Sequence, residues 1–220
     1  GDVYKRQTLP RESSKQEVPP LREQLRTLTT GAISFGLLAN CTLMTGSMMM
    51  LTYLAPYLNA TSFAGVSERA LAFSLSGIAG ILGIWLGGIA VDKRGPDWTL
   101  NAGIIGIIVM MVILWILWLI RPTPISAVIC IVTLWGGLVF WTSPAIQARL
   151  YMLAGSVAPQ ALALNTSGTY LGVSIGAAIG GITLATGGAG ILPLVAASFG
   201  LITLILIKIA YHLNHTHPRI

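Results

Sequence analysis

Between Gly31 and Tyr211 the sequence holds six long apolar runs: Gly31–Leu58, Ala70–Val91, Trp98–Ile120, Ile125–Ala145, Ala161–Ala185 and Gly190–Tyr211. A helix rising 1.5 Å per residue needs about 20 apolar residues to cross the hydrocarbon of a bilayer. Each run meets that length, and Lys208 is the one formal charge inside any of them. It lies at the end of the last run, where its stem can reach the interface. In hydrocarbon every backbone N–H and C=O must be satisfied within the protein, so a spanning chain is helical or a closed barrel. A barrel would show ten-residue segments of alternating polarity, and these are absent. The expected fold is all-α and polytopic, with six transmembrane helices. Composition agrees: 54% of residues are hydrophobic and 9% charged, against roughly 25% charged in a soluble domain.

Six spans return both termini to one side. That side carries Arg11, Lys15, Arg22, Arg26, Lys93, Arg94, Arg149, Lys208 and Arg219, while the other carries Arg69 and Arg121. Basic residues accumulate on the cytoplasmic side. Both ends are therefore expected in the cytoplasm, with the protein in the plasma (inner) membrane. The net charge of +6 is explained by topology and calls for no nucleic-acid partner.

The second and fifth runs resemble each other. "ALAFSLSG" (Ala70–Gly77) matches "ALALNTSG" (Ala161–Gly168) at an offset of 91, and "GIWLGGI" (Gly83–Ile89) matches "GAAIGGI" (Gly176–Ile182) at 93. Tyr53 precedes Pro56 by three residues as Trp141 precedes Pro144, an offset of 88. These matches predict two copies of a three-helix unit. An odd number of helices forces the second copy to insert upside down, the inverted 3+3 repeat found in secondary transporters. Shared low complexity among Gly/Ala/Leu helices is the competing explanation. The third member of each unit is the most uniformly apolar and is expected to face lipid.

Gly83 and Gly87 on the second run, and Gly168, Gly172, Gly176 and Gly180 on the fifth, recur at helical spacing. Small residues so placed let helix backbones approach closely. Polar groups inside the runs must face other helices or a wet cavity, because exposing them to lipid costs free energy. Asn40, Thr45, Tyr53, Trp135, Asn165 and Tyr170 are the candidates for a substrate path. Bonding between helices is the other use open to them.

The loop "GIAVDKRG" (Gly88–Gly95) resembles the signature of the major facilitator superfamily: Gly, three residues, Asp, a basic residue, any residue, Gly. Its flank, Pro96–Asp97, departs from the basic flank of the stronger copy of that signature and suits the second copy. "LTYLAPYL" (Leu51–Leu58) and "SPAIQARLYMLAGSVAPQALALNTSGTYLG" (Ser143–Gly172) are similar to the seventh and the tenth-to-eleventh helices of the drug/proton antiporter branch, in particular its arabinose- and sugar-efflux permeases. The resemblance implies the second half of a twelve-helix carrier, partnered by an N-terminal six-helix half absent here. It further implies alternating-access efflux of a small organic solute, coupled to protons. Neither enzymatic activity nor a cofactor or metal is expected: His212, His215 and His217 cluster in the tail and read as a solvated tail. By resemblance, Gly88, Asp92, Lys93 and Gly95 form a conformational-switch loop that ties helix ends across the halves.

No Asp or Glu lies within a span. A proton- or sodium-driven carrier needs an ionisable group in the membrane, so the coupling group is expected outside these residues. Residues 8–29 read as the polar linker between halves, 30–211 as the membrane half-domain and 212–220 as a cytoplasmic tail. The first seven residues, GDVYKRQ, back-translate to the transposon end of a sequencing adapter and are expected to be foreign to the protein. A complete six-helix protein acting as a homodimeric carrier, or a membrane scaffold, are the alternatives to half of a carrier.

Overall fold

The computed structural model describes residues 29–216, and side chains as far as Asn214. The adapter-like start, the linker up to residue 28 with its Arg11, Lys15, Arg22 and Arg26, and residues 217–220 lie outside the described residues. Within them every regular element is helical: α1 (Gly31–Thr52), α2 (Leu54–Ser62), α3 (Val66–Arg94), α4 (Pro96–Leu119), α5 (Ile125–Ala154), α6 (Ala158–Gly187) and α7 (Leu192–Thr216).

Five continuous helical stretches are long and apolar enough to cross a membrane. One of them, Ile125–Gly187, runs for 63 residues. Gly155 divides it: its φ of 54° is left-handed, a conformation that costs glycine little and other residues more. α5 and α6, each 30 residues long, flank the turn.

The first apolar run is broken where its sequence foretells a kink. Pro56 has no N–H to offer the carbonyl of Thr52, and the helix gives way at Tyr53 (φ −104°, ψ 19°) before resuming as α2. Pro144, by contrast, is absorbed inside α5. At the other punctuation point, Gly95 (φ 81°) caps α3 and Pro96 opens α4. A proline at a helix start loses nothing, since its N–H would be unpaired there.

The helices pair selectively. α3 lies along α5, and α1 along α6; α7 also packs on α1, and α4 on both α5 and α7. The glycines set these approaches. A Cβ on Gly83 would strike the Gly137 carbonyl, and one on Gly87 would lie 2.5 Å from the Trp141 carbonyl oxygen. On the other pair, Gly172 meets the Cys41 carbonyl, Gly176 the Thr45 carbonyl and Gly180 the Tyr53 ring. Gly168 is looser, 3.9 Å from Cys41 Cβ.

The interior is apolar, a single buried cluster that includes Leu43, Leu100, Ile104, Met111, Val132 and Val139. The outside is apolar too. Ile81, Trp85, Ile105, Ile116, Leu201 and Ile205 are exposed. A soluble monomer rarely shows so continuous an apolar surface; hydrocarbon is the solvent that suits it. Thr42, Thr45, Thr52, Thr166 and Thr203 donate to the carbonyl four residues back in their own helices. Their hydroxyls are thus satisfied without a neighbour.

Candidate functional site

Asn40 cannot satisfy itself in this way, and it is buried at 4% exposure. It sits about 14 Å along α1 from Gly31, near the middle of a hydrocarbon core. Its Nδ2 donates to Thr169 Oγ1 (2.9 Å) and to the Asn165 carbonyl (3.4 Å) on α6. Thr169 in turn donates to the same carbonyl at 3.0 Å. The close approach of α1 and α6 at Gly172 and Gly176 brings these groups within reach.

This amide–hydroxyl cluster borders a cavity of about 230 Å³. α1 supplies Asn40, Met44 and Met48; α5 supplies Phe140, Ser143 and Gln147; α6 supplies Asn165, Thr166, Thr169 and Tyr170. Gln147 Nε2 donates to Ser143 Oγ at 3.2 Å. Asn165 Oδ1 is buried and has no partner, an acceptor left over for a water or a ligand hydroxyl. The wall carries amides, hydroxyls, an aromatic face and flexible thioethers, and no ionised group. Such a surface can orient a polar, uncharged part of a solute while covering an apolar part.

Of the six residues singled out from sequence, Asn40, Asn165 and Tyr170 meet at this cavity. Thr45 is buried between α1 and α6 and bonds to its own helix. Tyr53 donates from its hydroxyl to the Ala177 carbonyl at 2.8 Å and packs on Gly180. Trp135 is 1% exposed within the core, with Nε1 unpaired. Sequence reasoning missed Ser143, Gln147 and Thr166. Gln147 lies past the end of the fourth apolar run at Ala145, whereas α5 continues two turns further.

The same extension buries Arg149. It is 7% exposed, and its Nε lies 2.9 Å from Asp97 Oδ1 at the start of α4. Asp97 Oδ1 forms no aligned hydrogen bond and Arg149 Nη1 has no partner, so the contact is an off-axis ion pair. Asp92 and Lys93 are exposed at the end of α3 and form no ion pair among the described residues. Gly88 has open space around it, and Gly95 makes the turn. Among the described residues the ion pair near this turn is that of Asp97, one residue beyond Pro96, with Arg149.

Asn40 and Ile146 border both the cavity and a small void that reaches Arg149, with room for about one water. The cavity and the ion pair are therefore neighbours.

A curated relative, the uncharacterized MFS-type transporter YbcL of Bacillus subtilis (strain 168), is 28% identical over 177 residues. The match takes in 80% of this chain and 44% of that protein. The chain is similar to an MFS-type transporter. It spans less than half the length of the relative it matches. No known family profile matches the chain, and no solved structure does.

Proposed function

We propose that this chain is the C-terminal half of a secondary active transporter that moves small organic solutes outward by alternating access, without altering them chemically. The observation that carries the reading is the Asn40–Thr169–Asn165 cluster beside a cavity, held at mid-depth in an otherwise apolar bundle. A lipid-filled scaffold has no need of an unsatisfied amide acceptor there.

Helix pairing supports the inverted repeat. Exchanging the first long helix with the fourth, the second with the fifth and the third with the sixth turns the α3–α5 pair into α6–α1. The same exchange turns α1–α7 into α5–α4. All four pairs occur. The detail follows: Gly87 packs on Trp141 and Gly180 on Tyr53, the residues that the sequence offsets relate. Similarity to an MFS-type transporter, over less than half its length, supports a half-carrier whose cavity is closed by a second six-helix half. Glu68, Asp92 and Asp97 lie in the terminal turns of α3 and α4 and none borders the cavity, so proton coupling in this reading uses a group on that other half.

The test is flux through the full-length gene product in liposomes, with a panel of neutral sugars and amphiphilic drugs and an imposed pH gradient. Gradient-driven flux of at least one solute is expected. Asn40→Ala should raise its KM about 5- to 20-fold, the loss of one or two hydrogen bonds, with kcat changed less. Full-length protein that carries nothing under any gradient would defeat the proposal.

A further inference from the structure

At the Gly95 end of the bundle, α4 and α7 leave a groove of about 420 Å³ between them. It is separate from the cavity and lies on the two helices with the most uniformly apolar sequences. Its apolar lining includes Ile105, Leu204 and Ile207. Its rim is aromatic and cationic: Trp98, Tyr211 and Lys208, with His212 beside them. Arg94 lies over the Trp98 ring at 4.3 Å, which brings a second cation to the edge. The groove's carboxylate, Asp97, is engaged with Arg149. Lys208 is exposed and forms no ion pair among the described residues.

An apolar trough ending in a cation, at the depth where tryptophan and tyrosine mark the bilayer interface, matches one class of molecule. An acyl chain fills the trough, and a phosphodiester answers the charge. A soluble phosphate would leave the trough empty. A zwitterionic headgroup would bring its own cation to Lys208. We propose that this groove binds an anionic phospholipid, with an acyl chain along Ile105 and Leu204 and the headgroup phosphate at Lys208 and Arg94. The proposal rests on the membrane reading of the fold and not on the transport of any solute.

Native mass spectrometry of the full-length protein in detergent tests it, with phosphatidylglycerol, phosphatidylcholine and glycerol 3-phosphate as probes. Phosphatidylglycerol should be retained about fivefold more tightly than phosphatidylcholine, and glycerol 3-phosphate should not displace it. Lys208→Gln should weaken phosphatidylglycerol about fivefold, the effect of one basic residue near an anionic headgroup. Lys208→Arg should keep the affinity. Lys93→Gln removes the same charge at the same end but outside the groove, and should leave affinity within twofold of the original. Lys208 is exposed, so its variants should unfold at the original temperature. Equal retention of the two lipids, displacement by glycerol 3-phosphate, or equal effects of Lys208→Gln and Lys93→Gln would overturn the proposal. None of these outcomes depends on flux.

Discussion

Arg149 shows how a single side chain can be misread from sequence and still matter. A basic residue four positions past an apolar run looks like an ordinary interfacial charge. In the fold it is buried, with Asp97 as its counter-ion. Removing one partner of a fully buried pair costs about 3–5 kcal/mol, because the other charge is left unpaired. Asp97 is 47% exposed on its side chain, so water takes up part of that loss. Asp97→Asn should therefore destabilise the protein by about 1–3 kcal/mol, read as a lower unfolding temperature in detergent. Adding Arg149→Met should recover part of the loss, because the orphaned charge goes with it. A double variant less stable than Asp97→Asn alone would show that Arg149 is held by something other than this carboxylate. The candidate cavity was half legible for a related reason. Asn40 and Asn165 carry more polar atoms than one helix can satisfy, so they must find each other or a ligand. Thr42, Thr45 and Thr52 fall on one side of α1 at 100° per residue, but each bonds back to its own backbone, as Thr45 does to Cys41. Their positions therefore say little about where a cavity lies.

At the level of elements, apolar length was the dependable signal. The second and fifth runs became single helices that overshoot the runs at both ends, and the third and sixth became single helices whose ends differ from the runs by a few residues. The first run could not be drawn as one helix without weighing Pro56 against twenty favourable neighbours, and Tyr53 is where the backbone gives way. The glycine stripes were legible as close packing; which helix each stripe meets was not, since spacing names a face and not its partner. The structure makes those glycines unequal. At Gly83 an added methyl meets the Gly137 carbonyl, which belongs to a backbone and cannot swing aside. Gly176 stands the same way against Thr45. Gly88, next to Gly87 in sequence, has nothing within 4 Å. Gly83→Ala and Gly176→Ala should each destabilise by roughly 1–3 kcal/mol, as overpacking does. Gly88→Ala should be neutral or stabilising by up to about 1 kcal/mol, from helix propensity alone. Thermal unfolding of the three variants side by side decides the matter. Equal shifts at Gly83 and Gly88 would mean that α3 and α5 are not in backbone contact.

For the whole molecule, the issue is which side of the membrane each turn occupies. The fold has two ends. Gly31, Gly95, Gly155 and Leu213 lie toward one, where Leu213 meets Gly31 and Arg149 meets Asp97. Ser62, Thr123 and Gly190 lie toward the other, where Ser62 bonds Thr123 and Gly190 packs on Trp118. An inverted repeat makes a prediction here that a parallel repeat does not. The second helix of the first unit, α3, must begin on the side where the second helix of the second unit, α6, ends. Val66 opens α3, and Ile191 closes the turn after α6; both are exposed. Lys93 and Tyr151 are exposed at the opposite end. With Cys41 and Cys130 replaced by serine, single cysteines at Val66 and Ile191 should react with a membrane-impermeant maleimide on intact cells. Cysteines at Lys93 and Tyr151 should react only after permeabilisation, as the positive charge at that end requires. If the Val66 and Tyr151 positions label together, the two units run the same way. The matched glycine contacts would then owe nothing to an inverted ancestry, and the cavity on α1, α5 and α6 could not be one half of a rocking carrier.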